Sequence, residues 1–116
     1  MNNRRTGARG EKLALRHLGE SGYELVCENY RTRYGEIDLI VRDGETLVFV
    51  EVKLRRGTGY GSPLESVTPR KQEQIRAVAA QYLAETEPEC KELRFDVVGI
   101  LEGKGGPDVM HIKDAF

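Results

Sequence analysis

Glu36, Asp38, Glu51 and Lys53 lie within 18 residues of one another, and their types and spacing suit phosphate chemistry. Twelve residues separate Asp38 from Glu51, and Lys53 stands two positions after Glu51. The stretches around them are apolar and meet at Asp43-Gly44, a strong hairpin signal between alternating apolar residues. With Asp43 and Gly44 as a two-residue turn, Arg42 faces Glu45, Asp38 faces Phe49 and Glu36 faces Glu51. Strand side chains alternate between faces. Glu36, Asp38, Glu51 and Lys53 therefore share one face, while Ile37, Leu39, Val41, Val48, Val50 and Val52 share the other. Ile40, Leu47 and Phe49 fall on the acid face, which predicts a partly covered surface.

Like charges facing each other across a strand pair are destabilising. Three carboxylates at this spacing call for a cation, a proton or water. Lys53 supplies one positive charge and a divalent ion would supply two. All-oxygen ligands suit Mg²⁺ or Mn²⁺, held by Asp38 and Glu51 from adjacent strands. Such an ion can activate water and neutralise charge building on a phosphate. Lys53 points into the same space and can hold the attacking water or a phosphate oxygen. The plainer alternative is a solvated face on which Lys53 pairs with Glu51.

The elements that must position these residues read as α-β-β-β-α-β-β. Residues 1–6 look like a flexible arm. A helix fits residues 8–20, with Ala14, Leu15 and Leu18 on one face and Gly19 and Gly22 as stop signals. Strands follow at 23–28, 36–42 and 45–54, with Arg31, Arg33 and Gly35 in a turn. Residues 54–69 have the composition of a mobile loop. Thr68 and Pro69 mark the start of a second helix, whose Ile75, Val78, Ala79, Tyr82 and Leu83 follow helical spacing. Strands at 93–101 and 109–112 complete the chain. The expected fold is α/β, a mixed sheet of four or five strands flanked by helices, in one domain covering residues 1–116.

Several weaker signals surround the hairpin. Glu11 lies near the inward stripe of the first helix, although acids near a helix start are also favoured by the helix dipole. Arg55, Arg56, Arg70 and Lys71 flank the site in sequence and can grip phosphates. Lys71 is the best placed of these, one turn before Ile75, and Gln74 on the same helix can line the site. Gly57-Thr58-Gly59-Tyr60-Gly61 lacks the ending of a nucleotide-binding loop. It suits a substrate-contacting loop in which Tyr60 can stack on a base. Asp96 reads as structural. Glu36 is an extra acid, either a second metal contact or a partner of Arg31 or Arg33.

The run Gly35-Glu36-Ile37-Asp38-Leu39-Ile40, followed by Glu51-Val52-Lys53, resembles the PD-(D/E)xK nuclease superfamily, whose restriction-endonuclease-like core has the order αβββαβ. More closely, Arg9-Gly10-Glu11, Asn29-Tyr30-Arg31, Gly35-Glu36-Ile37-Asp38, Phe49-Val50-Glu51-Val52-Lys53 and Thr68-Pro69-Arg70-Lys71 resemble the YraN-like family. That family comprises small bacterial proteins related to Holliday-junction resolvases. The likeness spans residues 7–112. It implies that Asp38 and Glu51 are metal carboxylates, Lys53 the motif lysine, and Glu11 the first-helix glutamate beside the metal. Ile37 stands where the name motif has Pro. The implied activity is a Mg²⁺- or Mn²⁺-dependent endonuclease acting on branched or structured DNA. Resolvases of this fold work as dimers, because a four-way junction has two equivalent strands to cut, so a homodimer is an expectation too.

Composition narrows the setting. The net charge is −1, so no global basic signal advertises nucleic acid. Residues 1–76 carry 14 Lys/Arg against 11 Asp/Glu and residues 77–116 carry 4 against 8, a distribution that from charge alone reads as a mixed solvated surface. No apolar run is long enough for a membrane helix, and the charged N-terminal residues exclude a secretory signal. Cys27 and Cys90 form no disulfide framework. Together these features predict a cytoplasmic protein with free thiols. Two further readings stay open: a nucleic-acid-binding module with little or no catalysis, and a protein adaptor that keeps the fold for packing alone.

Overall fold

The computed structural model describes residues 3–56 and 63–116, with side chains from residue 8 onward. The elements are α1 (Asn3–Glu20), β1 (Glu24–Thr32), β2 (Gly35–Asp43), β3 (Thr46–Arg56), α2 (Pro69–Thr86), β4 (Glu92–Gly103) and β5 (Gly106–Ile112). A 3-10 turn at Pro63–Ser66 precedes α2. The strands form one sheet in the order β1-β2-β3-β4-β5. β3 and β4 are parallel and the other neighbours antiparallel. The expected mixed sheet and its element order are therefore present. A parallel pair needs a long crossover, and α2 lies within it. Among the described residues, no helix is long and apolar enough to cross a membrane.

Each helix covers one face of the sheet. Ala14 and Leu18 of α1 pack with Leu39, Val41, Val48, Val50, Val98 and Ile100. Ile75, Val78, Ala79 and Tyr82 of α2 pack with Ile37, Ile40, Leu47, Phe49 and Val97. Thr68 caps α2 by accepting from the Lys71 N–H at 3.2 Å, with Pro69 in the first turn. The helix ends where Glu87 turns left-handed (φ 42) and its N–H donates to Leu83 O.

Four local expectations are corrected. First, α1 starts at Asn3, so residues 3–6 belong to the helix rather than to an arm. Once a helix is nucleated, each added residue gains a backbone hydrogen bond. Second, β1 runs on to Thr32, with Arg31 opposite Glu36 and Thr32 opposite Gly35, so the turn contains just Arg33 and Tyr34.

Third, the β2–β3 hairpin turns at Gly44-Glu45. Asp43 pairs with Thr46, Arg42 with Leu47 and Leu39 with Val50. Gly44 takes φ 61 as the first turn residue, the position glycine holds in a II′ hairpin. Asp43 stays in the strand, where its carboxylate accepts from Arg94 Nη1 at 3.4 Å. Moving the pairing by two residues preserves the faces but changes who meets whom. Fourth, strict alternation fails near Asp38. Ile37 and Ile40, an odd number apart, both pack on the α2 side. Opposite them on β1, Cys27 and Tyr30 repeat the break, with Asn29 between them in the left-handed region (φ 52).

Candidate functional site

The site begins where the β2–β3 ladder stops. Its last pair toward this end of the hairpin is Leu39 with Val50. One step further a regular ladder would set Asp38 beside Glu51, and two steps further Val52 N–H would donate to the backbone of Ile37. Instead, Asp38 Oδ2 accepts from Val52 N–H at 2.8 Å. The carboxylate takes the place of a backbone acceptor and satisfies the donor exposed as the strands part.

Glu51 is 6% exposed and carries two cations on one oxygen. Lys53 Nζ lies 3.3 Å and Lys71 Nζ 3.7 Å from Glu51 Oε2. Lys53 comes from the same strand, and Lys71 from the first turn of α2, held there by the Thr68 cap. Burial, and next the neighbouring Glu51 carboxylate, push Asp38 up to about 8, while the Val52 N–H opposes them. Glu11 adds to the same upward push from α1, on the other side of the sheet. Glu11 itself is raised, first by its burial and then by Glu36 and Glu28, against a hydrogen bond with the Asn29 side chain. The parted strands thus bring together residues from both faces: Glu11 from one, Glu51 and Lys71 from the other.

A glycine makes the approach of α1 feasible. Gly10 is buried, and a Cβ there would lie 3.3 Å from Leu54 Cβ and 3.5 Å from Val52 Cγ1. On the other flank, Pro63 covers Gly99, which pairs with Lys53 across β3 and β4. A Cβ on Gly99 would fall 2.1 Å from Pro63 Cγ, so glycine is what lets the 3-10 turn close down beside the lysine.

The other predicted residues divide. Glu36 does not oppose Glu51. It accepts from Arg31 Nε at 2.9 Å, one of the two partners expected for it. Arg56 reaches Glu102 at 3.2 Å, where Arg9 also binds, so this cation is engaged at the far end of β3. Arg55 Nη1 donates to Leu54 O at 3.3 Å. Gln74 donates to Tyr34 O at 2.6 Å and so braces the β1–β2 turn rather than the acids. Arg70 is exposed in the first turn of α2. Tyr60 and the glycine-rich loop around it lie outside the described residues.

Would this donor set suit a divalent ion? Among the described residues, no three His, Cys, Asp or Glu side chains converge into a cage. Asp38 and Glu51 are a pair of hard-oxygen donors on neighbouring strands. Mg²⁺ is commonly held by one or two carboxylates with water completing the shell. The repulsion between the buried Glu51 and the part-buried Asp38 would be relieved by the ion's charge, so the residues fit the group.

A second buried carboxylate sits away from this site. Asp96 is wholly buried. It accepts from Arg94 at 2.9 and 3.0 Å and from the Asp114 N–H at 3.0 Å, and lies 2.7 Å from His111 Nε2. These contacts hold it below the usual carboxylate range against its burial. It ties the C-terminal residues to β4, in keeping with the structural role expected of it.

Comparison with known proteins places the chain. Residues 10–100 match the model of the uncharacterised protein family UPF0102. A UPF0102 protein of Rhodococcus opacus is 52% identical over 111 residues, covering 95% of this chain and 94% of that protein. A UPF0102 protein of Syntrophomonas wolfei is 46% identical over 114 residues, 98% of this chain and 99% of its own length. The chain belongs to the UPF0102 family, the YraN-like family of the sequence resemblance. Glu11, Asp38, Glu51, Lys53 and Lys71 all lie inside the matched span.

Proposed function

We propose that this protein is a metal-dependent endonuclease of the PD-(D/E)xK type that hydrolyses phosphodiester bonds in DNA, branched or otherwise structured. The observation that carries the reading is the parting of β2 from β3 at Asp38. It leaves the part-buried Asp38 carboxylate beside the buried Glu51, whose Oε2 carries both Lys53 and Lys71. A fold in need of stability alone gains little from two neighbouring acids in a partly dry seam.

In this reading Asp38 and Glu51 hold Mg²⁺ or Mn²⁺. The bound ion supplies Lewis-acid charge at the phosphate and a more acidic water. Lys53 orients the attacking oxygen or a phosphate oxygen from 3.3 Å off Glu51. Lys71, 3.7 Å from Glu51 Oε2, would be free to hold a phosphate oxygen where an ion neutralised that carboxylate. Glu11 biases the seam toward cations. Arg70 and Lys71 occupy the first turn of α2, where the helix dipole favours anions rather than cations. Two cations there form a seat for a phosphate group by their side chains, since Pro69 has no N–H and Thr68 accepts those of Lys71 and Gln72.

The test is a cleavage assay on labelled four-way junctions, flaps, single strands and duplex, with Mg²⁺, Mn²⁺ or EDTA, and Asp38→Asn purified alongside. Metal-dependent cutting that disappears in Asp38→Asn supports the enzyme. Equal behaviour of the two proteins sinks it. One observation favours a second reading: Lys53 and Lys71 already compensate Glu51 without an ion. A non-catalytic nucleic-acid-binding module would bind DNA uncut, with Asp38→Asn binding as well as or better than wild type.

A further inference from the structure

The β1–β2 turn presents an aromatic ring to solvent. Tyr34 is 44% exposed. The other described aromatic side chains pack on one another: Tyr30 on Tyr82, Tyr82 on Phe49, Phe49 on Phe95, Phe95 on Phe116, and Tyr23 on His111. Tyr34 instead meets the Arg33 guanidinium, 5.0 Å from its ring centre, with Arg33 Nη2 donating to its hydroxyl at 2.9 Å. The turn beneath it is tightly braced. Tyr34 N–H donates to Thr32 Oγ1 at 3.0 Å, and Tyr34 O accepts from Gln74 at 2.6 Å. Gly35 adopts φ 141, and a Cβ there would lie 2.7 Å from Gln74 Nε2. The backbone is locked onto α2 while the ring is left outside.

We infer that Tyr34, with Arg33 beside it, is a stacking platform for an unpaired nucleobase of DNA. The inference rests on the nucleic-acid reading above and supplies a reason to prefer DNA that is not fully paired. Tyr34 stands four residues before Asp38 on the same hairpin, about 13 Å along a strand. Gln74, which braces the turn, lies one helical turn beyond Arg70 and Lys71. A base on Tyr34 therefore leaves its strand running past the basic end of α2 toward the parted strands. A base within a duplex has both faces covered by its neighbours, so away from a duplex end an exposed ring finds a face where pairing is interrupted. Stacking on aromatic side chains is tolerant of base identity, so the platform selects for open structure rather than for sequence. A platform already rigid in the free protein loses little conformational freedom on binding.

The test uses the full chain in EDTA at low salt, so that cleavage plays no part. A short single strand carrying 2-aminopurine and a blunt duplex of the same sequence are titrated with wild type, Tyr34→Ala, Tyr34→Phe, Tyr34→Trp and Arg33→Ala. Wild type quenches the 2-aminopurine. Tyr34→Ala weakens single-strand binding about 5- to 150-fold, loses the quench and keeps duplex binding. Tyr34→Phe and Tyr34→Trp retain both, and Arg33→Ala weakens single-strand binding to an intermediate degree. Unchanged single-strand binding by a folded Tyr34→Ala overturns the inference, as does an equal loss on single strand and duplex. Wild type that binds neither DNA overturns the nucleic-acid reading together with it.

Discussion

Replacing Asp38 by Asn removes a charge and keeps an acceptor for the Val52 N–H, so it isolates the electrostatics of the parted strands. Asp38 is pushed up to about 8, by burial first and by Glu51 second, from an ordinary 3.8. Each pH unit of displacement corresponds to about 1.4 kcal/mol between the two protonation states. Proton sharing with Glu51 and the nearby lysines offset part of that. We expect Asp38→Asn to stabilise the metal-free protein by roughly 2–4 kcal/mol at pH 8, a rise in Tm of about 10 °C for a chain of this size. The sign follows from linkage. Between 3.8 and about 8 the folded state holds more protons than the unfolded one, so the free energy of unfolding falls as pH rises. Wild type in EDTA should therefore lose stability across this window, and Asp38→Asn should lose much less. Adding Mn²⁺ at a hundred times its Kd should return about 2.7 kcal/mol to wild type and nothing comparable to the variant. The assay is thermal unfolding from pH 5 to pH 9 with EDTA or MnCl₂. A variant less stable than wild type at pH 8, or one with an undiminished pH slope, would refute the electrostatic account.

Asp96→Ala should cost about 3–5 kcal/mol, because Arg94 and His111 lose their buried acceptor; urea unfolding measures it. Asp96 is held below its usual range, so its contribution is present at neutral pH and lost as pH falls below the ordinary carboxylate value of 3.8. Acid unfolding of wild type should therefore be steeper there than that of Asp96→Asn. Gly35→Ala meets both a positive φ and the Gln74 side chain; a loss of roughly 2 kcal/mol is expected, and its absence in a urea titration would mean the turn is not locked on α2. Gly99→Ala drives a methyl into Pro63; hydrogen exchange should show faster opening at residues 63–66 while β1 and β2 keep their protection.

The legible part of the fold rested on period and punctuation. Apolar residues at strand and helix spacing marked every strand and both helices, and Thr68-Pro69 placed the start of α2. The alternation of residues 47–52 assigned Phe49 and Val50 to opposite cores, as found. The illegible part lay at the site. Asp43-Gly44 signals a hairpin equally well with glycine second or first in the turn. In the structure Asp43 stays within the strand, paired with Thr46 and 3.4 Å from Arg94, 51 residues away. The break of alternation at Asp38 has no period to betray it, and it is matched on the neighbouring strand, where Asn29 turns left-handed between Cys27 and Tyr30.

The cationic residues show the same division. Arg55, Arg56, Arg70 and Lys71 look alike along the chain, yet Arg56 is taken by Glu102 and Lys71 meets Glu51. Tyr34 carried no signal, because a ring in a turn is packed or exposed according to what stands behind it. By itself the sequence determined the elements, their order and the faces of β3, because those depend on local spacing and on the burial of apolar surface. Tertiary structure alone decided which acids meet, which cations stay near them and which ring faces water. Those depend on register and on contacts between distant residues, where a shift of two positions leaves every side chain on its face and changes every neighbour.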